Sequence, residues 1–353
     1  MSVRAPFRLL LGAAVILAAL VLAAPASARP TRGQYQVHNL VSNVAGAADN
    51  VDPNLANAWG LAAGPTSPWW VSDNGTDRST LYNPAGTPLP LVVDVPGAPT
   101  GTVFNGTPGS FLVGANAASF IFATEGGTIL GWNGGPAATV EADRSPAGAV
   151  YKGLAIAQTP TGPRIYATDF HNGAVDAFDS AWQPVSHAGF VDPFLPRHFA
   201  PFGIQTIGDR IFVTYAKQQA GSDDEAHGRG LGIVDAFDTA GRLRARVAQF
   251  GNLNAPWGLA HAPTGFGRFS GDLLVGNFGD GRVSAYHEVF HGLFVPAGQL
   301  RSSTGSALAI DGLWALEFGQ GAPNNGPTDT LFFTAGPNDE ENGLFGSIRA
   351  ATT

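Results

Sequence analysis

Asn57-Ala58-Trp59-Gly60-Leu61 is the stretch from which the rest of the chain can be read, because five further segments repeat its form. They are Pro99-Thr100-Gly101-Thr102-Val103, Val150-Tyr151-Lys152-Gly153-Leu154, Ala200-Pro201-Phe202-Gly203-Ile204, Ala255-Pro256-Trp257-Gly258-Leu259 and Asp311-Gly312-Leu313-Trp314-Ala315-Leu316. The glycine, replaced by Ala315 in the last copy, recurs every 41 to 57 residues. Self-similarity at such a period is the mark of stacked modules. After each copy comes an apolar run: Trp69-Trp70-Val71, Phe120-Ile121-Phe122-Ala123, Ile165-Tyr166-Ala167, Ile211-Phe212-Val213, Leu273-Leu274-Val275 and Leu331-Phe332-Phe333. Both alternating faces of these runs are apolar, which suits strands covered on each side by a neighbouring sheet.

A third run completes each repeat, as in Thr80-Leu81-Tyr82, Val175-Asp176-Ala177-Phe178 and Val234-Asp235-Ala236-Phe237. Four of these runs end at Asn83, Asn133, Asp179 or Asp238, residues that favour a tight turn into a fourth, more polar strand. Six such copies predict an all-β fold, a six-bladed β-propeller with four-stranded blades. The last copy stops after its third strand at Ile348, while residues 35–42 read as a strand with no blade of its own. The N-terminal strand is therefore expected to close the ring and to hide a sheet edge that would otherwise invite aggregation.

Composition agrees with this reading: 47 Gly, 26 Pro and 23 Phe against 13% charged residues favour a turn-rich β protein. Residues 1–28 read as a signal peptide, with Arg4 and Arg8 before an apolar run and Ala26-Ser27-Ala28 as the cleavage site. Residues 29–353 are then a single propeller domain, secreted or otherwise extracytoplasmic, with no membrane span left after cleavage. Losing Arg4 and Arg8 leaves 17 basic against 27 acidic residues, a net charge of −10, which argues against a nucleic-acid partner. The absence of cysteine excludes disulfides, thiolate metal sites and a lipoprotein leader. Residues 346–353 carry neither an apolar tail nor a basic cluster, so no surface anchor is expected, and a monomer is.

Several stretches together resemble a known family: Asn39-Leu40-Val41-Ser42-Asn43, Asp52-Pro53-Asn54-Leu55-Ala56-Asn57-Ala58-Trp59-Gly60-Leu61, Tyr166-Ala167-Thr168-Asp169-Phe170-His171-Asn172-Gly173, Thr214-Tyr215-Ala216-Lys217-Gln218 and Ile310-Asp311-Gly312-Leu313-Trp314. With these the chain resembles an uncharacterised family of secreted bacterial six-bladed propeller proteins, related in outline to NHL-type and streptogramin-lyase-type propellers. Some relatives in that family carry a C-terminal sorting tail. The resemblance implies the fold and brings no catalytic residues with it.

Propeller geometry narrows the search for a site. In an antiparallel blade the start of the first strand and the end of the second lie on one face of the disc. Collecting both sets gives a polar ring of Asn57, Asp73, Asn74, Glu125, Tyr151, Lys152, Asp169, His171, Tyr215, Lys217, Asn254, Asn277 and Asp311. A ligand is expected there, whether a small molecule, a glycan or a protein. Within the ring, Asp73, Glu125, Asp169 and Asp311 offer hard oxygen ligands for Ca²⁺, and Asp169 with His171 offers acid–base chemistry of the lactonase or lyase type. The competing reading is that these side chains bond only their own turns. The long connection 218–232, with Asp223-Asp224-Glu225-Ala226-His227-Gly228, reads as a lid, a cation-binding loop or a solvated loop on the same face. Trp59, Trp257 and Trp314 either stack a ligand at the axis or fill the wedge between blades. His287-Glu288-Val289-Phe290-His291 spells a zinc-protease pattern, but it follows a strand, and that chemistry requires a helix to aim both imidazoles at one metal.

Overall fold

The computed structural model describes residues 34–186 and 189–351 together with Met1; most of the expected signal peptide lies outside the described residues. Six sheets stand around one axis in chain order. Blade 1 is built from Ala58–Ala62, Trp69–Asp73, Arg78–Tyr82 and Pro88–Asp94. Blade 2 uses Pro99–Phe104, Phe120–Thr124, Thr128–Trp132 and Thr139–Asp143. Blade 4 comprises Phe199–Ile207, Arg210–Lys217, Gly232–Asp238 and Leu243–Gln249, and blade 5 Pro256–His261, Leu273–Asn277, Val283–Phe290 and Leu293–Gln299.

Blade 6 takes Leu313–Phe318, Leu331–Ala335 and Leu344–Ala350 from the end of the chain, and its fourth strand is Tyr35–Ser42. That N-terminal strand pairs antiparallel with its partner from Tyr35↔Ala350 to Ser42↔Leu344, so the ring closes as the repeat count requires. Blade 3 departs from the expected pattern. Its strands Tyr151–Thr159, Gly162–Asp169 and Ala174–Asp179 are followed, among the described residues, by a single bridge between Phe178 and Pro184. Just past the turn, Trp182 is buried between blades 2 and 3, against Phe111, and donates its indole N–H to the Leu112 carbonyl at 2.9 Å. Pro184 brings no N–H to extend a ladder.

The recurring glycine has a steric reason. A Cβ on Gly60 would lie 2.2 Å from the Thr100 carbonyl oxygen, on Gly101 2.2 Å from the Leu154 nitrogen, on Gly203 2.1 Å from the Trp257 oxygen and on Gly258 2.4 Å from the Trp314 oxygen. In every case the obstacle is the innermost strand of the next blade. The inner-strand ladder also slips register at this point, as between Pro201 and Ile204 or Pro256 and Leu259, so each blade bulges where the next one presses in. We expect Gly203→Ala to cost about 3 kcal/mol in urea unfolding, since a backbone carbonyl cannot yield as a side chain can. A loss below about 0.5 kcal/mol would show that the blades spread freely.

Around the axis the inner strands bring Trp59, Trp314, Trp257 and Phe202, and the ends of two second strands bring Phe278 and Phe170, into one cluster. Trp59 stacks on Trp314 at 3.8 Å, and Phe278 stacks on Trp314 at 3.9 Å. Beneath this plug, between Gly60, Gly101, Leu154, Ile204 and Leu316, a void of only about 20 Å³ remains. The rings fill the wedge, which leaves them no exposed face for a ligand: Trp314 is fully buried and Trp59 is 2% exposed.

Candidate functional site

The polar layer above the aromatic plug begins with Lys152. Strand alternation turns Tyr151 sideways, where its hydroxyl donates to Asp176 at 2.8 Å, and leaves Lys152 pointing to the axis. There its ammonium lies 5.2 Å above the Trp59 ring and donates to Glu125 Oε1 at 2.5 Å. Only 2% of Lys152 is exposed. Burial alone would lower its pKa, but Glu125 and Glu225 outweigh that and hold the ammonium charged.

From Glu125 a continuous chain of hydrogen bonds runs round the mouth. Asn74 donates to Glu125 Oε2 at 2.9 Å, and Asn57 donates to Asn74 Oδ1 at 3.1 Å and to Glu340 Oε2 at 2.5 Å. Asn57 Oδ1 in turn accepts the Trp314 indole N–H at 3.0 Å, tying the polar layer to the plug. Trp257 donates across the axis to the Lys152 carbonyl at 2.8 Å. The connection 218–232 completes the circle: Asp224 stands 3.8 Å from the Lys152 ammonium, and Glu225 meets His227 at 3.3 Å. Blades 1, 2, 3, 4 and 6 or their loops thus send polar side chains to one surface, and blade 5 reaches it from below through Trp257.

Glu340 escapes the strand-end rule because it sits in the connection after the second strand of blade 6. Asn338, Asp339 and Glu340 all have positive φ, at 60°, 49° and 66°, a left-handed turn that non-glycine residues seldom adopt in succession. Asp311 pins this turn by accepting the Asn338 N–H at 2.9 Å. Burial, with repulsion from Glu225, pushes the Glu340 carboxyl up to about 7, although the Asn57 hydrogen bond pulls the other way. The sequence signal for it was the acidic run Asp339-Glu340-Glu341, in a loop equivalent to the one bearing Asp223-Asp224-Glu225.

The remaining ring positions are dispersed. Asp73 is fully buried beside Thr80, between blades 6 and 1, where desolvation drives its pKa well up. Tyr215 is likewise buried, near Asp235 and Arg246. Asp169 caps a turn, accepting the Val150 and Asn172 N–H groups at 3.2 and 3.1 Å. Asn254 and Asn277 brace loops, the first accepting the Gly228 N–H at 2.6 Å and the second donating to the Asn252 carbonyl at 2.8 Å. His171 and Lys217 line a neighbouring cavity of about 890 Å³ with His198 and Asp223, and the His171–Asp223 contact of 2.5 Å raises the imidazole pKa.

The four carboxylates offered for Ca²⁺ do not converge. Glu125 is engaged by Lys152 and Asn74, Asp73 lies inside the sheet wedge, and Asp169 and Asp311 serve their own turns. Among the described residues, no group of three or more His, Asp or Glu side chains is arranged to hold a metal ion. The zinc-like pattern also resolves as structure: it lies on the strand Val283–Phe290, where Glu288 is held by both Arg210 guanidinium nitrogens at 2.8 and 2.7 Å, and His287 by Asp272 at 2.7 Å.

No family model matches the chain. An uncharacterized protein of Acanthamoeba polyphaga mimivirus is 31% identical over 334 residues, covering 89% of this chain and 80% of the relative. A second uncharacterized protein of the same virus is 29% identical over 349 residues, covering 92% and 88%. These relatives are viral, so the expectation of a bacterial family is not supported by them. Among solved structures, virginiamycin B lyase from Staphylococcus aureus is similar with a TM-score of 0.50 and 13% identity, covering 90% of this chain and 99% of that one. A glucose dehydrogenase reaches 0.55 at 11% identity, covering 90% and 100%. Likeness at that level of identity establishes the fold alone. On the identity shared with the first mimivirus protein over most of both lengths, the chain belongs to that protein's family, and its fold is a six-bladed β-propeller.

Proposed function

We propose that this protein is an exported binding propeller whose mouth recognises a hydroxyl-rich small molecule of the glycan class. The observation that carries the reading is the hydrogen-bonded chain from Glu340 through Asn57, Asn74 and Glu125 to Lys152, fixed on a rigid aromatic base. Its geometry is set before any ligand arrives, which lowers the entropic cost of binding. Carboxylates outnumber the lysine, so acceptor positions remain for hydroxyl donors, and Asn74 keeps one amide hydrogen to donate beside them. A glycan, rather than an aromatic ligand, fits this polar layer because the tryptophans below it are sealed.

Calorimetric titration against a panel of neutral and amino sugars tests the proposal. We expect dissociation constants in the micromolar to millimolar range, weakened at least tenfold by Glu340→Gln, with the melting temperature little changed, and by Asn57→Ala, which also lowers the melting temperature because it strips the buried Trp314 N–H of its acceptor. Silence across the panel, or binding indifferent to both substitutions, would defeat it. One observation favours an enzyme as the second reading: Glu340, pushed up to about 7, can itself give and take a proton near neutral pH, at the same surface as a lysine that stays charged. Lactone turnover abolished by Glu340→Gln would select that reading.

A further inference from the structure

On the face opposite the mouth, the inner strands open into a second cavity of about 270 Å³. Its walls include Leu61, Val103, Phe104 and Ile156, with Gln320 at the rim. One lining side chain is ionisable, and it is Glu317. The repeat shows how unusual this is. Two residues beyond the repeat glycine the other five blades place Ala62, Val103, Ala155, Gln205 and Ala260, whereas blade 6 places a carboxylic acid. No cation answers it among the described residues; its hydrogen-bond partner is Gln320, whose amide also donates to the Ala63 carbonyl at 2.7 Å. A carboxyl with Gln320 as its partner and no cation beside it, in a cavity that mixes these apolar side chains with Thr102, Gln205 and Thr206, adds little to stability, since alanine or glutamine would serve the fold as well.

We propose that this opening is a second binding site, taking a small organic amine whose ammonium group pairs with Glu317 while its hydrocarbon part lies against the wall. The volume accommodates a ring of benzylamine size. Without a ligand, burial pushes the Glu317 carboxyl up to about 8, so near neutral pH it is mostly protonated. Docking of the ammonium ion then requires that the carboxyl give up its proton to solvent, and the new ion pair replaces the O–H. No other ionisable side chain lines the cavity from blades 1 to 4, and His261 ends the inner strand of blade 5 outside the lining. The pH dependence of binding therefore belongs to Glu317 until the amine itself loses its proton.

The experiment is calorimetric titration of the full chain with benzylamine and cyclohexylamine at pH 9 and pH 6.5, with benzyl alcohol and benzoate as controls. We expect amines alone to bind, at least tenfold more weakly at pH 6.5, because each pH unit below the carboxyl's titration costs about a factor of ten. At pH 7 the measured heat is expected to vary with the ionisation enthalpy of the buffer, reporting the released proton. Glu317→Gln should abolish amine binding without lowering the melting temperature, and Glu340→Gln should leave it intact, which separates this site from the mouth. Absence of amine binding at pH 9, equal binding of benzyl alcohol, or binding that survives in Glu317→Gln would overturn the proposal.

Discussion

Deleting residues 35–42 is expected to abolish cooperative unfolding and to leave the chain aggregated. The strand buries Tyr35, Leu40 and Val41 almost completely, and the Tyr35 hydroxyl reaches across to the Phe266 carbonyl at 3.0 Å. Burial of three such side chains contributes roughly 1.5–3 kcal/mol each. That sum alone approaches the roughly 5–15 kcal/mol by which a domain is usually stable. The deletion also uncovers the whole hydrogen-bonding edge of Leu344–Ala350, a template for pairing with another chain. Size-exclusion chromatography and thermal denaturation of the variant check this, and a synthetic peptide of the missing strand should restore monomer. A monomeric variant melting at the wild-type temperature would mean that the ring does not depend on its closure.

Arg246→Ala is expected to lose about 3–5 kcal/mol, the usual consequence of stripping the cation from a buried ion pair. Arg246 stands between two carboxylates that are completely shielded from solvent, Asp192 and Asp235, and bonds Asp235 at 2.5 Å. Burial pushes Asp235 up to about 6 even with Arg246 beside it. Without the guanidinium Asp235 is held higher still. A carboxyl with a raised folded-state pKa contributes stability below its unfolded value and loses it as pH rises through the folded one. The deficit of the variant should therefore be larger at pH 8 than at pH 5, measured by urea unfolding at both. A deficit below 1 kcal/mol, or one flat with pH, would contradict the assignment of the pair as buried and charged.

The blades were legible because their causes are local. A glycine forced by the next blade's backbone, an apolar run covered on two sides and an Asx turn each leave a mark within a few residues. The three-stranded form of blade 3 among the described residues was not legible, since Asp179 offers the turn to a fourth strand, while Trp182 just beyond it packs against Phe111 of blade 2. At the mouth, the strand-end rule found the right face but not the direction of each side chain. Alternation sends Lys152 inward while its neighbour Tyr151 turns into the wedge between sheets, and a shift of one residue reverses that assignment; Asn74 reaches the mouth from a 3-10 turn just past its strand, leaving Asp73 at the strand end buried. Glu340 lay outside the rule altogether, because a left-handed turn in a connection, rather than a strand, delivers it.

The aromatic stack at the axis has a bearing on how the molecule handles what it binds. With a space of about 20 Å³ beneath the tryptophans, nothing larger than a single water fits there, so the disc works as a septum and not as a tunnel. A guest captured on one side must depart by the way it came, and solutes on the two sides are sampled independently.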